Sequence, residues 1–309
     1  MKSPTFALAL HGGAGLEPAK LSAAQKEEYH ASLRQALEIG WKLLAHGAAA
    51  LDAVEQTVRA LEDDPLYNAG RGSVFNSDGR HELDASIMDG ASGLGGGVAG
   101  VLTVKNPISL ARLVMAETPH VLLIGEGAER FADEMCDREQ IARVPNDYFS
   151  TERRRREWQE ALEKSRRASR GEPDRETVGC VALDAQGNLA AGTSTGGTTN
   201  KKFGRVGDTP ILGAGTYAAN ETCAVSSTGT GEYFIRQSAA FHVSALMAYR
   251  GLSVDEAVKH VVEKLLPADV GGIIALDRQG RISMCFNTAG MPRASADASG
   301  NIVTGLERP

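Results

Sequence analysis

A chain of 309 residues with 42% hydrophobic content can fill a sizeable core, either as one large domain or as two of ordinary size, so it is globular. Its formal net charge of -6 and pI near 5.7 give no long-range attraction for nucleic acid or an anionic membrane surface, which favours small-molecule or peptide partners. The four cysteines, Cys136, Cys180, Cys223 and Cys285, form no C-x-x-C pair and have no histidine at metal-ligand spacing, so they read as buried thiols in a reducing compartment. The apolar run before His11 is too brief for a signal peptide and no window approaches a membrane span, so a cytoplasmic protein is expected.

Thr5 to Leu10 predicts a buried strand that stops at His11-Gly12-Gly13-Ala14-Gly15, where consecutive glycines permit tight turns and close approach of the backbone. Ser22 and Gln25 form a capping box for a helix whose apolar face is Tyr29, Leu33, Leu37, Trp41 and Leu44, ended by Gly47. Leu51, Val54, Val58 and Leu61 repeat at helical spacing with Pro65 as the stop, and a compact loop follows through Asn68 and Gly70. Leu83, Ala85 and Ile87 alternate as a strand, Val98 to Val104 predicts another, Pro107 opens a helix to about Glu117, and Val121 to Ile124 is short and apolar.

From Thr151 to Glu176 the chain carries nine basic and seven acidic residues, and Trp158, Ala161 and Leu162 are its only sizeable apolar stripe. Pairs such as Arg153 with Glu157, Arg156 with Glu160 and Glu163 with Arg167 support a solvated helix, after which Gly171 and Pro173 favour loop; no core face is expected of this flexible linker. Its acids nearly cancel its bases, which argues against a nucleic-acid arm. An apolar strand begins immediately after it, at Thr177. A threonine at the meeting of a disposable segment and a rigid strand is what self-cleavage requires: the cut would give Thr177 both a hydroxyl nucleophile and an α-amine able to act as its base. Such an amine has a pKa of about 8 and so is partly neutral near pH 7. In isolation the same residue reads more simply as the first position of an ordinary strand.

Beyond Thr177 two hairpins echo each other. Val181-Ala182-Leu183-Asp184-Ala185-Gln186-Gly187-Asn188 resembles Ile274-Ala275-Leu276-Asp277-Arg278-Gln279-Gly280-Arg281, each an apolar strand and a polar turn. Between them lie a Gly/Thr-rich loop from Gly196 to Asp208, a strand at Cys223 to Ser227, one long helix from about Gly231 to Tyr249, and a helix opened by Ser253 and Glu256. Antiparallel hairpins buried on both faces, with helices supplied in groups, predict an α+β fold: a four-layer αββα sandwich of two mainly antiparallel sheets between helix layers, as a single domain.

Three clusters follow the junction: Thr193-Ser194-Thr195-Gly196-Gly197, Gly204-Arg205-Val206-Gly207-Asp208 and Ser227-Thr228-Gly229-Thr230-Gly231-Glu232. With His11-Gly12-Gly13-Ala14-Gly15, Pro65-Leu66-Tyr67-Asn68-Ala69-Gly70 and Thr177-Val178-Gly179, in this order over nearly the whole chain, they resemble the plant-type L-asparaginase and isoaspartyl-peptidase family of N-terminal-nucleophile hydrolases. The resemblance implies a cut between Glu176 and Thr177 into an α part, 1–176, and a β part, 177–309. It implies Thr177 as nucleophile and base, oriented by Thr195; Arg205 on the α-carboxylate and Asp208 on the α-ammonium of an asparaginyl or aspartyl group; Thr228 and the Gly229 N–H as oxyanion hole; and Gly231 backbone beside the substrate. The implied substrates are L-asparagine and β-aspartyl dipeptides, and the implied assembly is a dimer of αβ heterodimers. No cofactor is implied for catalysis, but a structural sodium is, on the backbone carbonyls of Leu61, Glu62, Asp64, Tyr67, Ala69 and Arg71. The family usually places Gly, sometimes Asp, before the nucleophile. Glu176 departs from that, and its bulk predicts slow self-cleavage that Glu176→Gly would accelerate.

Other readings of single motifs compete. Arg205 and Asp208 by themselves read equally as a surface ion pair. Gly192-Thr193-Ser194-Thr195-Gly196 fits G-x-S-x-G and would make Ser194 a serine-esterase nucleophile, but the residues after it are Gly/Thr-rich where the nucleophile elbow needs a helix. Gly95-Gly96-Gly97-Val98-Ala99-Gly100 fits G-x-G-x-x-G and would make a non-catalytic nucleotide-binding module, but a strand follows where a helix is required.

Overall fold

The structure, a computed structural model, describes residues 6–138, 141–166 and 176–308. Strand β1 (Ala7–His11) is followed by α1 (Ala23–Ala45), whose expected capping box is present: the Gln25 N–H donates to Ser22 Oγ at 3.3 Å and the Ser22 N–H to Gln25 Oε1 at 2.9 Å. Then come α2 (Ala50–Asp63), β2 (Leu83–Asp89), β3 (Gly95–Val101), α3 (Pro107–Glu117), β4 (Leu122–Ile124), α4 (Gly125–Asp137) and α5 (Glu152–Arg166). The chain continues through β5 (Val178–Leu183), β6 (Leu189–Thr195), β7 (Thr216–Ala218), β8 (Cys223–Gly229), α6 (Gly231–Gln237), α7 (Ala239–Arg250) and α8 (Val254–His260). It ends with β9 (Gly271–Asp277), β10 (Ile282–Phe286), β11 (Gly290–Asp297) and β12 (Ile302–Glu307). The sequence predicts no α4, β7, β11 or β12.

Among the described residues the strands form an eight-stranded sheet, in the order β12-β11-β1-β5-β6-β2-β3-β4, and a four-stranded sheet, β10-β9-β8-β7; only β3 and β4 pair in parallel. Three apolar clusters between four layers follow from the period of two along each strand. On β1, Leu8 and Leu10 face α1, α2 and α3, whereas Ala7 and Ala9 face the smaller sheet. On β5, Val178, Cys180 and Ala182 take the helix side and Val181 and Leu183 the inter-sheet side. Val225, Ile273 and Ala275 pack the other face of the smaller sheet onto α7 and α8. Each fully buried leucine or valine contributes about 1.5–3 kcal/mol, so the layered αββα arrangement rests on these stripes rather than on any one contact. This is the expected α+β sandwich.

Three local expectations change. The Gly95–Gly97 run lies inside β3 rather than before a strand: a β-carbon on Gly96 would collide with the Ala111 carbonyl of α3, and one on Gly97 would lie 2.7 Å from the Pro210 carbonyl. Those glycines admit a helix and a loop to the sheet, not a nucleotide. The long helix after Gly231 is broken at Ser238, which sits in the left-handed region at φ 46°; the break aims the Ala240 and Phe241 N–H groups at the Ala214 and Gly213 carbonyls, at 3.1 and 2.9 Å. The charged run is helical over α5 as expected, with Arg153 and Glu157 paired at 3.6 Å, but it is not wholly solvated. Arg154 is buried and Trp158 stacks on Phe75. Arg167, Gly171 and Pro173 lie outside the described residues.

Candidate active site

Because Val181 and Leu183 face the smaller sheet, so do Gly179 and Thr177 two and four residues earlier. The same parity brings His11 of β1, Thr193 and Thr195 of β6, and Ser226 and Thr228 of β8 to the same end of the inter-sheet space. The apolar layer between the sheets thus ends in a polar floor. His11 Nδ1 donates to the Thr177 carbonyl at 2.8 Å, which leaves Nε2 to accept from Ser226 Oγ at 2.9 Å. Burial lowers the His11 pKa to about 3, so the ring is neutral and this tautomer persists at ordinary pH. Thr193 Oγ meets Ser226 Oγ at 2.7 Å, Thr216 donates to Thr193 at 2.6 Å, and Ser86 Oγ reaches Thr216 Oγ at 2.8 Å and the Thr209 carbonyl at 2.5 Å. A β-carbon on Gly179 would collide with Ser226 Oγ, so glycine there makes room for the histidine-serine contact.

The Thr177 hydroxyl donates to Thr195 Oγ at 3.2 Å, and the Gly197 N–H donates to the same oxygen at 3.0 Å. Thr195 in turn donates to the Glu176 carbonyl at 3.3 Å, and Asn68 Nδ2 donates to that carbonyl at 3.0 Å. Asn68 is locked by its other bonds, to the Gly197 carbonyl at 2.7 Å and from the Val74 N–H at 3.0 Å. The carbonyl on one side of the 176–177 bond therefore has two donors, with a hydroxyl beside it. Gly13, at φ 110°, packs against the bond itself: a β-carbon there would lie 2.7 Å from Glu176 Cα and 3.0 Å from the Thr177 nitrogen. Next to it, the Ala14 N–H donates to Thr228 Oγ at 3.0 Å, which brings the end of β8, Thr228 and Gly229, to the same place.

Arg205 and Asp208 converge over Gly231, where a β-carbon would lie 2.7 Å from Asp208 Oδ1 and 3.0 Å from Arg205 Nη2. Arg205 is not paired with Asp208. Its Nε and Nη2 grip the two carboxylate oxygens of Glu232, both at 3.0 Å, and the guanidinium holds the Glu232 carboxyl below the usual carboxylate range. Its Nη1 stays on the side of Gly197, the residue bonded to Thr195. Asp208 is buried with Oδ2 unpartnered among the described residues; burial pushes its carboxyl up to about 7, against hydrogen bonding and Arg205, which pull it down. A buried carboxylate with an open oxygen beside a fixed guanidinium suits a ligand carrying one positive and one negative group. The surface ion pair that these two residues suggest alone is not formed.

Ser194 faces the opposite way, fully buried on β6 with its hydroxyl donating to Glu62 Oε1 at 2.7 Å, so it meets neither cleft nor histidine. In the loop expected to hold sodium, Pro65 stands where the Leu61 carbonyl would find its helical N–H partner. The Glu62 carbonyl accepts from the Arg71 N–H at 2.7 Å, Asp64 only weakly from Tyr67 at 3.4 Å, and Ala69 and Arg71 carbonyls accept none among the described residues. Unpaired carbonyls in a tight loop suit a hard cation of low charge. Among the described residues no cluster of His, Cys, Asp or Glu side chains could hold a metal, and no helix is long and apolar enough to cross a membrane.

Asn68, His11 and Glu232 lie within the sequence motifs without a role assigned there; their signal is a side chain with hydrogen-bonding capacity set among glycines. Ser226 and Arg154 carried no such signal. Arg154 is one of four consecutive arginines, and nothing local marks which of them turns inward.

The sequence pattern of the family described as Asparaginase matches residues 4–306. The chain is 48% identical over 311 residues to the isoaspartyl peptidase of Escherichia coli K12, covering 97% of this chain and 96% of that one. It is 42% identical over 320 residues to the probable isoaspartyl peptidase/L-asparaginase 2 of Arabidopsis thaliana, covering 96% and 97%. With the plant-type L-asparaginase of Pyrococcus abyssi the identity is 42% over 308 residues, covering 93% and 95%.

Proposed function

The chain belongs to the asparaginase family of N-terminal-nucleophile hydrolases, and from that premise we propose that it cuts itself before Thr177 and then hydrolyses L-asparagine and β-aspartyl dipeptides, releasing L-aspartate. The observation that carries this reading is the Glu176 carbonyl, bonded by Asn68 and Thr195, with the Thr177 hydroxyl directed at Thr195. Attack by Thr177 Oγ turns that carbonyl into an oxyanion, and the two donors already in place, Asn68 Nδ2 and the Thr195 hydroxyl, stabilise it without reorganisation. The alternatives of a Ser194 esterase and a nucleotide-binding module lack support, since Ser194 is buried and the Gly95–Gly100 motif is a packed strand.

Once freed, the Thr177 α-amine takes the proton as Oγ attacks the β-carbonyl of the substrate and passes it to the departing nitrogen as the β C–N bond breaks; the β-aspartyl ester that remains is then hydrolysed by water, which releases L-aspartate and restores the Thr177 hydroxyl. The Thr228 hydroxyl, oriented by the Ala14 N–H, and the Gly229 N–H serve the substrate oxyanion, a site distinct from the Asn68 site used in self-cleavage. Arg205, fixed by Glu232, takes the α-carboxylate, and Asp208 and the Gly231 backbone take the α-ammonium end. This grip reads only the α-groups, so ammonia and an amino acid are both accepted as leaving groups. The carbonyls of Leu61, Glu62, Asp64, Tyr67, Ala69 and Arg71 would hold a sodium ion whose part is structural: it would satisfy carbonyl lone pairs in the loop that carries Asn68. Two αβ heterodimers form the assembly that the family resemblance implies, and the free thiols fit a reducing cytoplasm.

Intact mass and N-terminal sequencing should give pieces of 176 and 133 residues, the second starting at Thr177, that separate only under denaturing conditions. Aspartate should be released from both substrate types, and Thr177→Ala should stay one chain without turnover. Fully cleaved protein that releases no aspartate from either substrate would remove the substrate assignment; an active, uncleaved wild type would remove the mechanism.

A further inference from the structure

The Glu176 side chain does not simply crowd the bond that follows it. Its carboxylate is ion-paired with Arg154, whose side chain is 2% exposed, and Arg153 lies 4.0 Å from the same oxygen. Arg154 is itself pinned: Nε donates to the Gly72 carbonyl at 2.6 Å and Nη1 to the Glu157 carboxylate at 2.9 Å. The helix carrying it, α5, is fastened along the loop of residues 66–79. Arg153 Nη2 donates to the Leu66 carbonyl at 2.8 Å, Trp158 stacks on Phe75 with ring centroids 5.3 Å apart and planes 25° apart, and the Arg155 guanidinium lies 5.8 Å from the centre of the Phe75 ring. Asn68 belongs to that same loop. One unit therefore holds Glu176 twice, by its carbonyl through Asn68 and by its side chain through α5.

A buried ion pair is a weak source of stability, because desolvating two charges costs about as much as their attraction returns. What it supplies is a fixed geometry, and an N-to-O acyl shift depends on geometry, since no free α-amine is yet available as base. We propose that α5 is a positioning clamp for self-cleavage, in which Arg154 holds the Glu176 side chain so that the Glu176 carbonyl stays on Asn68 and Thr195 beside the Thr177 hydroxyl. The clamp rests on the self-cleavage reading above. In the step it serves, Thr177 Oγ bonds to the Glu176 carbonyl carbon, the C–N bond breaks, and the hydroxyl proton ends on the Thr177 nitrogen. Water then cleaves the ester, leaving a carboxylate on Glu176 and restoring the hydroxyl. Arg154 touches none of the reacting atoms and is a positioning residue. A large, charged residue is thereby accommodated next to the bond, and the helix supplies the order that its bulk would otherwise disturb.

The test is the rate of self-cleavage of the full chain, followed by intact mass after synthesis, in wild type, Arg154→Met, Glu176→Gly and the double variant. Arg154→Met should slow the cut by about 100-fold, the scale of a 1 Å misplacement of reacting groups. In the Glu176→Gly background the same substitution should change nothing, and Glu176→Gly alone should lie within a few-fold of wild type, in place of the acceleration that crowding predicts. Equal slowing in both backgrounds would make Arg154 a support of the Gly72 loop and overturn the clamp, as would Arg154→Met cutting at the wild-type rate. Should Arg154→Met fail to fold, Glu176→Gln decides: it keeps the size and loses the charge, so a marked slowing supports the clamp and an unchanged rate overturns it. A wild type that never cuts removes the self-cleavage reading itself, an outcome distinct from wild-type cleavage that ignores Arg154.

Discussion

On the Thr177 side of the 176–177 bond the chain runs directly into β5, which is paired with β1 along one edge and β6 along the other and buried on both faces. On the Glu176 side, among the described residues, it is held by side-chain contacts from Arg154, Arg153, Asn68 and Thr195, with Gly13 packed against its Cα. The two neighbours are therefore fixed by different physics. The ladder spreads its hold over many backbone bonds and a packed core, so that no one side chain decides where Thr177 sits. The acyl side depends on a few directional contacts, each of which matters in full. Under the proposed self-cleavage this division keeps the nucleophile on a rigid frame, while the acyl side depends on contacts from α5 and the loop carrying Asn68.

The contrast can be broken most severely at Asn68. Asn68→Ala removes one of two donors on the Glu176 carbonyl and should slow self-cleavage by about 10²–10³-fold, the usual effect of losing an oxyanion donor. The slow appearance of the 133-residue piece on a denaturing gel would report it. Arg205→Lys should do the reverse, cutting normally because Arg205 does not touch Glu176, but losing about 10²-fold in kcat/KM for L-asparagine as the planar fork shared with Glu232 is lost. Steady-state kinetics on fully cleaved protein separate the two effects.

A smaller effect comes from pH. Asp208, faced by Arg205, Glu232 and Asp84, has a carboxyl pushed up to about 7 by burial, so below that pH it is increasingly protonated and fails to balance the substrate ammonium. Apparent affinity for L-asparagine should fall by about tenfold per pH unit below 7. The Thr177 amine also loses function in acid, but it acts in the chemical step, so a substrate analogue without the α-ammonium should keep the loss in kcat and lose the change in KM. The sign for stability is opposite. A carboxyl whose folded pKa is raised favours the protonated fold, so its contribution is full below about pH 4 and is lost as pH rises through about 7.

The smallest effect lies on the strand side. Asp184 Oδ1 accepts from the Gln186 and Asn188 N–H groups at 3.0 and 2.8 Å, and its Oδ2 from the Ala50 N–H at the start of α2 at 3.1 Å. Asp184→Ala should lower stability by about 1–3 kcal/mol, seen as a lower Tm, with the self-cleavage rate of folded molecules unchanged. A change in that rate would mean that the β5–β6 turn positions Thr177 directly.

Residues whose partners lie within about four positions were legible in the sequence. The capping boxes at Ser22 and Ser253 form as expected. The two echoing hairpins close with the same chemistry, Asp277 Oδ1 accepting from Gln279 and Arg281 as Asp184 does from Gln186 and Asn188. The order of the Gly, Thr and charged clusters was enough to identify the family. What local sequence left open is which copy of a pattern matters. The first hairpin was drawn into the middle of the larger sheet, with Thr177 at its head, and the second ended at the edge of the smaller one. Only the fold set His11 on the Thr177 carbonyl, Glu232 on Arg205, and Arg154, with Arg153 beside it, against the Glu176 carboxylate. Caps and turns are bonds between near neighbours, fixed by residue type and spacing; these contacts join groups 22 to 166 positions apart, and their partners are chosen by strand register and helix docking across the layers.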